Sequence, residues 1–270
     1  MRKISQKVSK EATRFIGLRW GERFPFYYVC EYPKSGGTWL AQMVSDFLQV
    51  PFPQHSNFPI GFEAVILNHW AYEPRLRRVF YLYRDGRDVM TSYFFYRLRI
   101  ASRQSHPGNR RVRKRLVAMF GDDYEKKNRG FLLARFIDNE FRRPGLGSKF
   151  NWSRHVSDWY APDQRSHIAY LSYEDLLRDT RGTLTRVLAQ ILGRPPDPSR
   201  VESTVTKCSM EAQTGRRPGE EDPAHHIRKG VAGDWKNHFN RECAELFHQH
   251  GGEALISLGY EQDSSWIDRF

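Results

Sequence analysis

The segment that most constrains this chain is a strand that breaks into a glycine turn and resumes as a helix. Phe26-Tyr27-Tyr28-Val29-Cys30 is a run of aromatic, β-branched and small apolar residues, the pattern of a strand buried on both faces. Tyr32-Pro33-Lys34-Ser35-Gly36-Gly37 interrupts it. From Thr38 to Val50 apolar residues return at helical spacing, with Leu40, Met43, Val44 and Phe47 on one face. Strand, glycine turn and helix open an α/β unit. Such a turn can also close backbone N–H groups on an anion, to which the helix N-terminus adds partial positive charge.

Further strands are expected at Ala64-Val65-Ile66-Leu67, Val79-Phe80-Tyr81-Leu82-Tyr83 and His167-Ile168-Ala169-Tyr170-Leu171. Val89 to Tyr96 reads as a helix, and Leu184, Val187, Leu188 and Ile191 mark another that Gly193 and the following prolines end. Strands alternating with helices predict an α/β fold with a central, mainly parallel β-sheet flanked by helices on both faces. The chain has 270 residues, no internal repeat and no low-complexity linker, so one domain spanning 1–270 is expected. Ligands of such sheets bind outside the carboxyl ends of the strands, where the polar breaks after Cys30 and Tyr83 both fall.

Charge narrows the partners. Lys and Arg total 43 against 31 Asp and Glu, a formal charge of +12 that favours anionic ligands. Cys30, Cys208 and Cys243 form no CxxC pair, which excludes a cysteine-built zinc site and a disulfide scaffold and fits a reducing compartment. Met1 to Glu22 lacks the apolar stretch of a signal peptide, and the apolar runs fall far short of the roughly 20 residues of a membrane helix. A soluble cytoplasmic protein without membrane contact is the expectation. Arg97 to Arg115 carries seven Arg, one Lys and no acid, with His106-Pro107-Gly108-Asn109 as a turn signal. That run lacks the interleaved aromatics of a nucleic-acid platform. It reads as a solvated face or, more sharply, as an attractor for an anionic acceptor. Thr214 to Asp234 reads as a long polar loop, a kind often functional.

Three segments carry chemistry. In the first, Lys34 offers a full charge, Ser35 and Thr38 offer hydroxyls, and Gly36 and Gly37 offer backbone N–H groups; two glycines alone also make an ordinary βα turn. An ATP-hydrolysing loop would read GxxxxGK[ST]. Here Lys34 precedes both glycines and no GK[ST] occurs. In the second, Arg84 presents a bidentate guanidinium and Ser92, eight residues on, a hydroxyl; the same stretch also suits a salt-bridged helix start with Asp85 and Asp88. In the third, Arg228, Lys229 and the N–H of Gly230 suit a dianion or a solvated basic loop.

Tyr32 to Leu40, Arg84 to Tyr93 and Arg228 to Lys236 resemble, in order, three motifs of the cytosolic-type sulfotransferases: the 5′-phosphosulfate loop YPKSGTTWL, the 3′-phosphate motif and the RKGxxGDWK element. The resemblance runs from Phe26 to Phe239. It implies a P-loop-like domain and 3′-phosphoadenosine 5′-phosphosulfate (PAPS) as donor, with adenosine 3′,5′-bisphosphate (PAP) as product and no metal. It also implies a small-molecule or carbohydrate acceptor, offering a hydroxyl or secondarily an amine, and no nucleic acid. By the resemblance Lys34, Ser35, Gly36, Gly37 and Thr38 hold the 5′ end, while Arg84, Ser92, Arg228, Lys229 and Gly230 hold the 3′-phosphate. Trp39, Tyr173, Cys208 and Met210 lie by the adenine; an aromatic stacked on a base is worth about 1–3 kcal/mol. The same resemblance implies that residues 1–22 are an N-terminal extension, 97–150 a variable acceptor-side insert, and 211–235 a loop covering the cofactor.

Catalysis would then rest on positioning and charge. Lys34 stabilises the leaving nucleotide, and His69 takes the acceptor's proton. The sequence departs from the family at Gly37, where Thr is usual, at Met210, where Phe is usual, and at Leu67-Asn68-His69, where the family reads KTH. His55, His106, His155 and His225-His226 show no metal spacing. A P-loop kinase and a basic nucleic-acid-binding protein are the rival readings, and the oligomeric state stays open.

Overall fold

The computed structural model describes residues 2–21, 23, 26–54, 56–103, 107–144, 149–222, 225 and 227–270. His55, His106 and His226 lie outside the described residues, as does the first position of the turn expected at 106–109. In chain order the regular elements are α1 (Arg2–Trp20), β1 (Phe26–Glu31), α2 (Gly37–Leu48), β2 (Ala64–Asn68), β3 (Val79–Tyr83), α3 (Gly86–Ser102), α4 (Pro107–Phe120) and α5 (Arg129–Arg142). There follow α6 (Trp152–Trp159), β4 (Ile168–Ser172), α7 (Tyr173–Arg178), α8 (Thr180–Leu192), α9 (Pro198–Lys207), α10 (Met210–Thr214) and α11 (Arg241–Ser257). The backbone divides into two compact units, one made of Met1–Tyr83 and Trp159–Gly215, the other of Arg84–Asp158 and Arg216–Phe270.

The first unit holds the sheet. Its four strands run in the order β2-β1-β3-β4, every neighbouring pair parallel. Side chains alternate between two cores, as period-2 geometry requires. Tyr27, Val29, Val65, Phe80, Leu82 and Leu171 pack with Leu40 and Val44 of α2, Leu184 and Leu188 of α8, and Val201 of α9. Phe26, Tyr28, Cys30, Ile66, Val79 and Tyr81 pack on the other face with Trp159, Leu76 and, from α1, Ile16 and Leu18. Each such aliphatic or aromatic side chain contributes about 1.5–3 kcal/mol by leaving water. Both faces are therefore covered, as the strand pattern predicts. The helix α1 is an addition to that reading. Its basic composition hides the side that docks, where Thr13 Oγ1 accepts the Ile60 N–H at 3.0 Å.

The second unit is helical. Asp85 caps α3 by accepting the Arg87 N–H at 2.9 Å, so the helix begins three residues before the apolar spacing that starts at Val89. Asn128 caps α5 and Asn240 caps α11 in the same way. The expected solvated face over 97–115 is corrected in part. Arg97 is buried, its guanidinium 4.6 Å from the Tyr93 ring centroid and bonded to the Tyr93 hydroxyl. Arg115 reaches the Arg143 carbonyl at 2.7 Å and Glu140 at 3.7 Å. Burial pushes the Glu140 carboxyl up to about 7, against the pull of Arg115 and Arg97. Arg110, Arg111 and Lys114 remain exposed. Between Thr214 and Asp234 no described residue lies in a helix or strand, as the polar composition predicts.

No helix among the described residues is long and apolar enough to cross a membrane.

Candidate active site

The glycine loop of the first unit is built by two tight turns. Ser35 N–H donates to the Tyr32 carbonyl at 3.2 Å and Trp39 N–H to the Gly36 carbonyl at 3.0 Å, which delivers Gly37 to the first position of α2. Lys34 and Gly36 both sit in the left-handed region, at φ 78° and 103°. For a lysine that conformation costs about 1–2 kcal/mol, strain of the kind found at functional sites. At Gly36 a Cβ would also lie 2.7 Å from the Tyr173 ring, so glycine is required twice over. The Ser35 side chain is buried, and its hydroxyl has no hydrogen-bond partner. A buried orphan hydroxyl costs about 1–3 kcal/mol, and at this loop it fits the oxygen of an anion. Lys34, Thr38 and Trp39 are half-buried.

Trp39, Tyr173 and Cys208 meet. The Trp39 indole N–H donates to the Cys208 carbonyl at 2.8 Å, and its ring meets Tyr173 edge-on at 6.2 Å. Gln213 Nε2 donates to the same carbonyl at 2.7 Å. The main chain of Cys208 thus fixes the indole, while its thiol packs in the core and is pushed up to about 11 by burial. Met210, half-buried, begins α10 just after the Ser209 cap.

His69 follows β2. Its Nδ1 lies 3.0 Å from the Glu31 carbonyl, an acceptor, so Nδ1 carries the proton and Nε2 keeps the lone pair. Desolvation lowers the ring to about 4 and Lys10 adds to that, while the carbonyl bond opposes it. The imidazole is neutral near pH 7, as a proton acceptor must be. Leu67, at the position of the family's lysine, packs beside the core of α2 and its neighbours.

In the second unit the Arg84 and RKG segments come together. Asp88, Ser92 and Phe95 are spaced four and three residues apart on α3, along one face. Asp88 Oδ2 accepts the Gly233 N–H at 2.7 Å and its Oδ1 the Trp235 N–H at 2.9 Å. The Arg228 guanidinium stands 4.6 Å from the Phe95 ring centroid. Ser92, half-buried, thus lies on the helical face to which the loop is fastened at both ends. Arg84 Nη2 donates to the Val231 carbonyl at 2.9 Å and lies 3.4 Å from Asp88. Arg87 is structural instead, paired with Asp85 and Glu261 and stacked 3.9 Å from Trp235.

The two loop cations are held by carboxylates. Arg228 pairs with Glu221 at 2.7 Å and with Asp234, and Lys229 pairs with Asp234 at 2.8 Å and Glu221 at 3.4 Å. Against desolvation, hydrogen bonds from His238, Lys229, Arg228 and Asn237 hold the Asp234 carboxyl well below the usual carboxylate range. Arg228 Nε is buried without a partner. Glu31, Asp88, Glu221 and Asp234 were not among the sequence-derived candidates. An acid closing an otherwise apolar strand, and acids flanking RKG, are the signals that point to them.

A parallel sheet with a left-handed glycine loop after β1, together with a separate cationic loop fastened to a helix, defines an α/β protein. The chain belongs to the sulfotransferase family: the sulfotransferase domain matches residues 72–259. It is thereby an enzyme of sulfuryl transfer. It is 25% identical over 286 residues to mouse sulfotransferase 2B1, covering 88% of this chain and 75% of that protein. It is 26% identical to human sulfotransferase 2A1, covering 86% and 85% respectively. The fold is similar to that of mouse sulfotransferase SULT7A1, solved in complex with PAP, with a TM-score of 0.63, 19% identity and coverage of 93% of this chain and 94% of that one. The family match begins at residue 72, beyond the Lys34 loop and His69.

Proposed function

We propose that this enzyme transfers the sulfuryl group of PAPS in line to an acceptor hydroxyl, with PAP as the second product. The loop over Lys34, Ser35, Gly36, Gly37 and Thr38 takes the 5′-phosphosulfate, with Trp39, Tyr173, Cys208 and Met210 beside the adenine. Arg84, Ser92, Arg228, Lys229 and Gly230 take the 3′-phosphate, and residues 211–235 cover the nucleotide. Lys34 meets the charge that builds on the bridging oxygen, and His69 Nε2 accepts the acceptor's proton. The exposed Arg110, Arg111 and Lys114 favour an anionic acceptor, a sugar acid or phosphorylated carrier among them.

The observation that carries this reading is the second cationic element. Arg228 and Lys229 stand together on a loop that is fastened to the helix bearing Ser92, and Arg84 bonds the same loop. ATP has no 3′-phosphate to give it a purpose. Calorimetry is expected to find PAP bound about a hundredfold more tightly than ADP. Equal or tighter binding of ADP overturns the donor assignment and restores the kinase reading. Steep salt-dependent binding of RNA or DNA that survives Lys34→Ala would favour the nucleic-acid reading.

The histidine has its own test. Because burial disfavours the charged ring, its neutral form persists to well below the ordinary value of 6.5, so the acid limb of kcat/KM is expected near pH 4. His69→Ala should remove that limb and lower the rate by about 10²–10⁴. An acid limb near 6.5, or one unchanged in His69→Ala, overturns the base assignment and leaves the donor untouched.

A further inference from the structure

Glu31 is a buried acid at the end of a strand whose other residues are apolar or aromatic, and its side chain is only 5% exposed. A carboxylate in such a place is costly unless hydrogen bonds and nearby positive charge hold it there. Its Oε2 accepts the Gly37 N–H, its Oε1 lies 3.9 Å from His69 Nδ1, and its own carbonyl receives the Nδ1 proton at 3.0 Å. One residue therefore grips the imidazole by its main chain and faces it with its side chain. The space for this is made by Gly37: a Cβ there would lie 2.5 Å from Glu31 Cδ and 2.7 Å from Leu67 Cδ1. The departures at Gly37 and Leu67 thus meet at one spot, where a side chain on residue 37 would collide with both Leu67 and the Glu31 carboxylate.

We propose that Glu31 is a positioning residue for His69, fixing the ring and holding the positive charge it gains when it takes the acceptor's proton. This rests on the sulfuryl-transfer reading above. In that step an acceptor oxygen lone pair forms the new bond to sulfur, and the bond from sulfur to the bridging phosphate oxygen breaks with its electrons on the nucleotide. The acceptor proton passes to His69 Nε2, giving an imidazolium whose Nδ1–H stays between the Glu31 carbonyl and carboxylate. Lys10 on α1 acts on the same ring in the opposite sense.

The test is Glu31→Gln in the full chain, whose amide oxygen can still accept the Gly37 N–H. Its first readout is the titration of the His69 ring by NMR, which needs no acceptor. The midpoint is expected to fall by about half a unit or more, with PAP affinity kept within about threefold. Its second readout is transfer from PAPS to two phenols. Transfer to unsubstituted phenol is expected to drop about tenfold, while transfer to 4-nitrophenol, which sheds its proton with little help, drops much less. Glu31→Asp, which keeps the charge, should recover part of the rate. In a His69→Ala background Glu31→Gln should add nothing further. An unmoved His69 midpoint in Glu31→Gln, or equal losses on both phenols, overturns the assignment. Failure of the unaltered enzyme to bind PAP would instead overturn the donor reading, and the His69 midpoint would still decide the role of Glu31.

Discussion

Lys34→Met is expected to lower kcat for sulfuryl transfer by about 10²–10³ while the protein stays folded and still binds PAP. The turn around Lys34 is held by main-chain bonds from Ser35 to Tyr32 and from Trp39 to Gly36, and by glycine at 36, none of which uses the lysine side chain. What Met removes is a cation at the loop where the bridging oxygen gains charge as the nucleotide leaves. That charge is larger in the transition state than in the bound donor, so the loss should fall on kcat more than on KM. A half-buried position strengthens the effect, because the surrounding dielectric is lower than that of water. The check is single-turnover transfer from labelled PAPS beside calorimetry with PAP. A variant that turns over normally, or one that loses PAP affinity in full proportion to rate, contradicts this role.

Much of the frame was legible because the relevant signals are local. Each strand is buried on both faces, so the runs at 26–30, 64–67 and 79–83 stand out within a few residues of their observed ends. The glycine loop is legible for the same reason: the left-handed backbone at Gly36 leaves its mark in the residue itself. The contacts that build the site are not local. Asp88 finds its loop 145 residues away, and Glu31 meets His69 38 residues on. In sequence Asp88 looks like an acid placed to suit a helix dipole, and Glu31 like the first polar residue of a turn. The basic run at 97–115 misleads in a related way. Composition counts every arginine as solvated, whereas Arg97 lies against Tyr93 inside the helical unit.

The second large effect is expected at Asp88. Replacing it with alanine strips the acceptor from two backbone N–H groups, those of Gly233 and Trp235, and removes the carboxylate beside Arg84. Asp88 is 1% exposed, so water cannot readily replace what is lost. Uncompensated groups of this kind cost about 1–3 kcal/mol each, and an orphaned buried charge about 3–5 kcal/mol. Part of that cost is avoided if the loop simply lets go, and letting go displaces Arg228 and Lys229, the cations proposed for the 3′-phosphate. Asp88→Ala should therefore weaken PAP binding by about a hundredfold or more, while ADP binding, which has no 3′-phosphate to lose, changes little. The Gly233 and Trp235 amides should exchange with solvent faster, and trypsin should cut after Arg216 or Arg228 more readily than in the unaltered enzyme. Asp88→Asn, which keeps one acceptor oxygen, should fall between the two. PAP affinity within threefold of the unaltered enzyme in Asp88→Ala, with the amides still protected, would show that the loop is held without Asp88, by the Arg84 bond to Val231 and by Arg228 stacked on Phe95.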